Sequence, residues 1–339
     1  MADISWPDVI STLVSRVDLS RTEARDVLLS ILEGSTDDVF VAAFLASLTT
    51  KGETVEELTG FVDALMSEAV TFRVADDAMD IVGTGGDRLR SVNVSTMAAL
   101  TVAACGVPVA KHGNRAASSS VGTADVLEEL GVNIDVSAEV VAKCVAGAGV
   151  GFCFAQRFHP GLRFLGPVRR QLGFRTAFNV LGPLANPASV QRLLLGVADP
   201  TVMDRMAAVL QARGVQRAFL VHADDGLDEL SLGAPATVIE VTPDAIVTTR
   251  LDPPALLGIR HDVSDIRGGD AALNAAAVRD FVAAKPGAVF DTVCANAGLA
   301  LMVAGKASAL DEGFEMATAA VRDGGAARAL EGLVALSNA

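Results

Sequence analysis

The stretch Asp80-Ile81-Val82-Gly83-Thr84-Gly85-Gly86-Asp87, continued by Asn93-Val94-Ser95-Thr96, decides how this chain reads. Residues 79–82 form a short apolar run that ends in a glycine-rich bend. That pattern is a strand leaving into a tight turn, since glycine tolerates positive φ and lets backbone N–H groups approach a ligand closely. Successive N–H groups in such a turn form a nest for anions, and the helix start at Asn93 favours anions too. The side chains of Asn93, Ser95 and Thr96 add donors, and Ser95 offers an oxygen suited to magnesium. A dinucleotide fingerprint would need glycine where Arg88 stands, and Gly305-Lys306 lacks the first glycine of a P-loop and is followed by Ala307. Clustered glycines alone more often make a plain turn; the Asn93–Thr96 stretch tips the reading toward a phosphate or pyrophosphate cradle.

A second loop supports the first. Residues 107–110 read as a strand, followed by Lys111-His112-Gly113-Asn114-Arg115, by Ser118-Ser119-Ser120 and by Gly122-Thr123 ahead of a helix at 124–130. Cations, hydroxyls and glycines between a strand and a helix suit phosphate oxygens. The bland alternative is a solvated basic loop with an ordinary structural histidine.

Further strands are expected at 150–155, 192–197 and 217–221, with a helix at 201–212 between the last two. Strands alternating with helices predict a mostly parallel sheet covered by helices, which places ligands outside the carboxyl ends of the strands. Before this pattern, the first seventy residues have apolar spacings of three and four. Capping boxes at Ser20/Glu23 and Thr54/Glu57, and an N-cap at Asp37 or Asp38, predict several packed amphipathic helices. From Asn274 onward the chain is Ala-rich and reads as helical. The fold class is therefore α/β, with a small helical domain and a larger α/β domain built on a mostly parallel central sheet.

Composition narrows the function. The chain has 339 residues, 51% of them hydrophobic, enough for a large core and about two domains. Its formal net charge is −14, which argues against nucleic acid and against anionic membranes as partners. The longest apolar stretch, 97–110, is interrupted by Gly106 and Pro108 and is too short to span a bilayer. Asp3 and Asp8 stand where an export signal would carry cations, so a cytoplasmic location is expected and the Asn93-Val94-Ser95 sequon is read as part of the cradle. Cys105, Cys144, Cys153 and Cys294 form no C-x-x-C pair, as befits free thiols in a reducing compartment.

Two later segments carry charge in suggestive places. Arg169 and Arg170 close a helical stretch, and an arginine can grip a carboxylate with its two-pronged fork, or simply pair on a helix surface. Asp224-Asp225-Gly226-Leu227-Asp228-Glu229 follows the strand at 217–221, where clustered carboxylates suit a hard cation. In an acidic chain such a loop is often ordinary.

Taken together, Gly83-Thr-Gly-Gly-Asp87, Asn93-x-Ser-Thr96, Lys111-His-Gly-Asn-Arg115 with Ser118-Ser119, the segment from Arg169 through Arg175 and Asn179 to Pro187, and Asp228-Glu229-Leu230-Ser231 resemble the anthranilate phosphoribosyltransferase family, in order and spacing. The resemblance spans nearly the whole chain. It implies a small helical domain from residues 1–72 plus about 165–190, and a large α/β domain from 73–164 plus 191–339, with the site in the cleft between them. It implies 5-phosphoribosyl 1-pyrophosphate at Gly83, Gly86, Asp87, Ser91, Asn93, Val94, Ser95, Thr96, Lys111, Asn114, Arg115, Ser118, Ser119 and Thr123. It implies anthranilate at Gly83, His112, Asn114, Arg169, Gly182 and Pro183, Mg2+ at Ser95, Asp228 and Glu229, and a homodimer through the helical domain. No residue is assigned as a general acid or base. The chain departs from the family at Ser120-Val121, where many members carry lysine-serine, and at Thr123, where serine is usual. Two other readings use the same fold: a pyrimidine nucleoside phosphorylase, which shares a similar second loop, and a non-catalytic nucleic-acid-binding relative, which the acidic charge opposes.

Overall fold

The computed structural model describes residues 4–87, 89–115 and 121–339. The N-terminal part folds as α1 (Trp6–Val14), α2 (Arg21–Leu32), α3 (Asp38–Lys51) and α4 (Val55–Ser67). Both expected capping boxes form: Ser20 with Glu23, and Thr54 with Glu57, each satisfy one another's backbone N–H. Glu57 is fully buried and reaches further, accepting the Leu19 N–H at 3.0 Å and the Lys51 ammonium at 2.9 Å. One carboxylate thus ties the approach to α2, the end of α3 and the start of α4. Asp37 precedes α3 as expected but makes no side-chain cap.

The remaining chain alternates. In order come β1 (Met79–Gly83), α5 (Val94–Ala104), β2 (Val109–Gly113), α6 (Thr123–Glu129), α7 (Ala138–Ala148), β3 (Val150–Phe154), the single turn α8 (Ala155–Phe158), α9 (Leu165–Leu172) and the short α10 (Phe178–Leu181). Then follow β4 (Arg192–Gly196), α11 (Met203–Ala212), β5 (Arg217–Ala223), β6 (Ala236–Val241), β7 (Ile246–Leu251), α12 (Pro253–Leu257), α13 (Ala271–Val282), α14 (Ala288–Val303), α15 (Leu310–Arg322) and α16 (Gly325–Ser337). The strands make one sheet in the order β3-β2-β1-β4-β5-β6-β7. Five strands are parallel, and β6 and β7 add an antiparallel edge. The five parallel strands are those read from the sequence. The edge pair was not: β7 is exposed along nearly its whole length and has no apolar face to betray it, and the mostly buried β6 was missed.

Alternation along the strands sends side chains to two cores. Met79, Ile81, Val109, Leu194 and Phe219 pack with α5, α6 and the C-terminal helices α13 to α16. Val82, Leu193, Leu195, Ala218 and Leu220 face α11 and the helical domain. α9 packs on α3 and α10 on α4, so the segment after β3 returns to the N-terminal helices. The molecule is therefore a small helical domain on a larger α/β domain with a mostly parallel sheet.

The chain winds outward from β1 to β2 and β3 on one side, then restarts at β4 and runs to β5 on the other. The β1/β4 boundary is a switch point of the sheet, the place where sheets of this kind take ligands beyond the carboxyl ends of their strands.

Candidate active site

At that switch point two glycines face each other: Gly83, the last residue of β1, is in register with Gly196, the last of β4. Their lack of side chains makes a notch for Asp228. A Cβ on Gly196 would sit 1.7 Å from the Asp228 carbonyl oxygen, and one on Gly83 would sit 2.9 Å from Asp228 Oδ2. The bend that follows is left-handed at both Gly85 (φ 64°) and Gly86 (φ 83°), the conformation expected of a nest. Its Gly85 N–H donates to Asp228 Oδ2 at 3.0 Å. At the start of α5, the Ser95 N–H donates to Glu229 Oε1 at 2.9 Å. Two amides that the sequence assigns to a phosphate are thus held by the protein's own carboxylates.

These carboxylates sit beside Asp87 and out of solvent. Burial, reinforced by Asp87, lifts the Asp228 carboxyl to about 7. Burial, then Asp228 and Asp87, pushes Glu229 well above the carboxylate range, and burial raises Asp87. Asp87 Oδ2 and Glu229 Oε2 are buried without a hydrogen-bond partner. Lys111, almost fully buried, supplies the nearby cation; its ammonium donates to the Ile81 carbonyl and, at 3.1 Å, to Ser95 Oγ. Burial lowers the Lys111 pKa, and Asp80 and Glu229 oppose that shift. Unpaired buried carboxylate oxygens next to a hydroxyl fit a hard divalent cation. Among the described residues no three His, Cys, Asp or Glu side chains are arranged to hold a metal unaided.

The second loop differs from its reading. Lys111, His112 and Gly113 are the end of β2, not a loop beyond it, and Lys111 and His112 are buried. His112 points to the opposite face from Lys111. Its N–H donates to Asp80 Oδ1 at 3.1 Å, and its Nδ1 lies 3.1 Å from the Gly182 carbonyl. The carbonyl can only accept, so Nδ1 carries the proton and Nε2 is left as a buried acceptor without a partner. Burial, then His159 with its ring centroid 5.4 Å away, drives the His112 pKa down to about 3, so the ring is neutral. Asp80 is fully buried and pushed up to about 6 by desolvation, yet it is well served, also accepting the Asn186 amide at 2.8 Å. This links β1 and β2 to the turn that carries Gly182 and Pro183.

Arg169 lies in the last turn of α9, half-buried, its guanidinium 5.5 Å from the Phe178 ring centroid and 3.5 Å from Asn179 Oδ1. Burial lowers its pKa, and no carboxylate pairs with it among the described residues. Gly182 is exposed at the start of its turn and Pro183 is buried. Arg115, by contrast, is occupied: it pairs with Asp125 at 2.8 Å and Glu128 at 2.5 Å. Asn114 is exposed and accepts the Arg115 N–H, while Thr123 opens α6. Ser91 forms an isolated bridge with Arg267. Thr96 is buried with its hydroxyl unpaired, and Val94 is wholly buried. Ser118 and Ser119 lie outside the described residues, as do Arg88 and Ser120. Asp224 and Asp225 behave as ordinary loop acids: the first pairs with Arg250 and the second accepts from Ser231 Oγ.

Sequence reasoning missed the supports. Asn296, in the apolar helix α14, accepts the Leu230 N–H and donates to the Leu230 carbonyl, pinning the loop that bears Asp228 and Glu229. Asp80 and Asn186 join β1 to β2, and Gly196 makes room for Asp228. A lone polar residue inside an apolar run, as at Asp80 and Asn296, was the available signal.

Family models describe the same two parts: "Glycosyl transferase family, helical bundle domain" matches residues 7–69, and "Glycosyl transferase family, a/b domain" matches residues 75–327. The anthranilate phosphoribosyltransferase of Thermomicrobium roseum is 48% identical over 98% of this chain and 97% of its own length. This chain belongs to the anthranilate phosphoribosyltransferase family. The Thermus thermophilus member superposes with a TM-score of 0.92 at 39% identity, covering 98% of this chain and 100% of that one. A Saccharomyces cerevisiae member, solved in complex with PRPP and Mg, gives 0.89 at 26% identity, with 98% of each chain covered. The anthranilate phosphoribosyltransferase fold is thus shared from the helical bundle to the C-terminal helices.

Proposed function

We propose that the crevice at β1 and β4 binds 5-phosphoribosyl 1-pyrophosphate, with anthranilate beside it near Arg169, for the reaction of the family. The chain transfers the 5-phosphoribosyl group to the amine of anthranilate, giving N-(5-phosphoribosyl)anthranilate and pyrophosphate, in tryptophan biosynthesis. One observation carries the assignment of the donor site: Asp228 and Glu229 occupy the amides of the bend and of α5, yet buried carboxylate oxygens there remain bare. A diphosphate is repelled by such a surface unless a divalent cation comes with it. Ser95, Asp228 and Glu229 would hold magnesium, which supplies charge neutralisation on the departing pyrophosphate. The yeast complex with PRPP and Mg supports this.

The other groups of the site divide the work. Lys111 and the amides of Gly86 and Asp87 would face the donor, where negative charge grows as the bond from sugar carbon to pyrophosphate breaks. Arg169, without a carboxylate partner among the described residues, suits the acid group of anthranilate. Neutral His112 offers Nε2 as a hydrogen-bond acceptor. The aromatic amine attacks the carbon with its lone pair and releases a proton once the new bond has formed. His112, at about 3, is no base at neutral pH, consistent with no general base being assigned.

The helical domain taken as 1–72 plus about 165–190 is supported by the packing of α9 on α3 and α10 on α4. A homodimer through this domain rests on the family resemblance alone. A cytoplasmic location rests on the sequence reading alone. No helix among the described residues is long and apolar enough to cross a membrane.

The deciding experiment follows the loss of anthranilate fluorescence with phosphoribosyl pyrophosphate and magnesium. The expected result is turnover that stops on chelation and returns with added magnesium. Phosphorolysis of thymidine or uridine without any loss of anthranilate would overturn the reading.

A further inference from the structure

Asn93 precedes α5 as its N-cap, a place where asparagine usually bonds the helix's own amides. Here its side chain makes no such bond. Its Oδ1 instead accepts the side-chain amide of Asn274, from α13, at 2.9 Å. Asn274 is 3% exposed, and its Oδ1 accepts the Gly269 N–H at 2.8 Å. The orientation of both amides follows from chemistry. A backbone N–H can only donate, so the Asn274 oxygen must face Gly269 and its NH2 must face Asn93. An NH2 group needs an acceptor, so Asn93 must turn its oxygen to Asn274 and its own NH2 away. Among the described residues that NH2 has no partner.

The strap carrying Gly269 is itself fixed. The Val92 N–H donates to the Ile266 carbonyl at 2.9 Å and the Gly268 N–H to the Arg90 carbonyl at 2.7 Å. Gly268 has no room for a side chain: a Cβ would lie 2.5 Å from Asn274 Oδ1 and 2.9 Å from the Ser91 carbonyl oxygen.

We propose that Asn274 is a positioning residue for the donor substrate: it locks the Asn93 amide with its NH2 toward the diphosphate of phosphoribosyl pyrophosphate. The assignment rests on Asn93 being a donor-substrate ligand. The relay Gly269 N–H to Asn274 to Asn93 leaves one polarity available to the ligand, and that polarity suits an anion. An unlocked amide would present its oxygen as readily as its NH2 and repel phosphate.

The test is Asn274→Asp. Its carboxylate still accepts from Gly269 but offers Asn93 only an oxygen, so the Asn93 amide reverses. The expected result is a KM for phosphoribosyl pyrophosphate raised about tenfold, with the anthranilate KM and the melting temperature essentially unchanged. Gly268→Ala, which displaces the Asn274 oxygen while keeping its chemistry, should give the same split to a smaller degree. Asn93→Ala separates the two readings. If Asn93→Ala leaves the donor KM unchanged, Asn93 is not a ligand and the proposal falls with that premise. If Asn93→Ala raises it and the Asn274 and Gly268 variants do not, the premise stands and the proposal alone is overturned. A parallel change in both KM values with a lower melting temperature also overturns it, since that is the mark of a structural role.

Discussion

Lys111 and His112 are neighbours on β2, but they serve opposite faces of the sheet, and the two faces treat charge differently. On the Lys111 side, Asp87, Asp228 and Glu229 crowd together, with Asp87 Oδ2 and Glu229 Oε2 bare and, among the described residues, Lys111 as the buried cation near them. On the His112 side, Asp80 has partners for both oxygens, and the two imidazoles are held neutral. On that face the charge is settled even though His112 Nε2 and His159 Nδ1 lack partners, because a neutral ring nitrogen left bare costs far less than a bare carboxylate, which waits for a counter-ion. The first face is therefore read as the place where charge is neutralised during the reaction. The second is a dry wall that shapes the neighbouring pocket and needs no ion.

The sharpest way to break this contrast is Glu229→Gln. Removing one carboxylate from the acidic face should lower kcat/KM for phosphoribosyl pyrophosphate by roughly 10²–10³-fold and raise the magnesium needed for half-maximal rate, with anthranilate KM unchanged. Full activity in steady-state assays across a magnesium titration would erase the distinction between the faces.

A smaller effect is expected beside the neutral face. Arg169→Ala should raise the anthranilate KM by roughly 10–100-fold, the loss of a charge-assisted hydrogen bond, with the donor KM unchanged. An unchanged anthranilate KM would count against that assignment.

The smallest effect is on stability against pH. The His112 pKa falls from about 6.5 when unfolded to about 3 when folded. Its neutral burial is therefore fully tolerated above 6.5, and stability is lost as pH falls below that value, by about 1.4 kcal/mol per pH unit. Asp80 works the other way: its folded pKa, about 6, lies above the unfolded value, so protonation between 6 and about 3.8 adds stability. Urea unfolding at pH 7 and pH 5 should show a smaller acid loss for His112→Gln than for the parent chain. Equal losses would mean that the ring is not held neutral.

Much of this was legible in the residues. Gly83, Gly85 and Gly86 marked the bend because a left-handed turn after a strand has few alternatives, and Ser20/Glu23 and Thr54/Glu57 marked helix starts because capping is local chemistry. Five parallel strands could be read from apolar runs because a strand buried on both faces needs them. β7 could not, being an exposed edge, and the Lys111-His112 pair looked like loop because its charges hid a buried strand end.

By itself, then, the sequence determined the helical start of the chain, the parallel strands, the bend and the types of chemistry available, since these depend on neighbours along the chain. Tertiary structure alone decided their use. It showed that Gly196 opposes Gly83 to seat Asp228, that Asp228 and Glu229 take the amides of the bend and of α5, and that, among the described residues, Arg115 is paired while Arg169 is left without an acid. Each depends on residues far apart in the chain meeting at one sheet edge, and burial there sets which charges are satisfied and which stay open to a ligand.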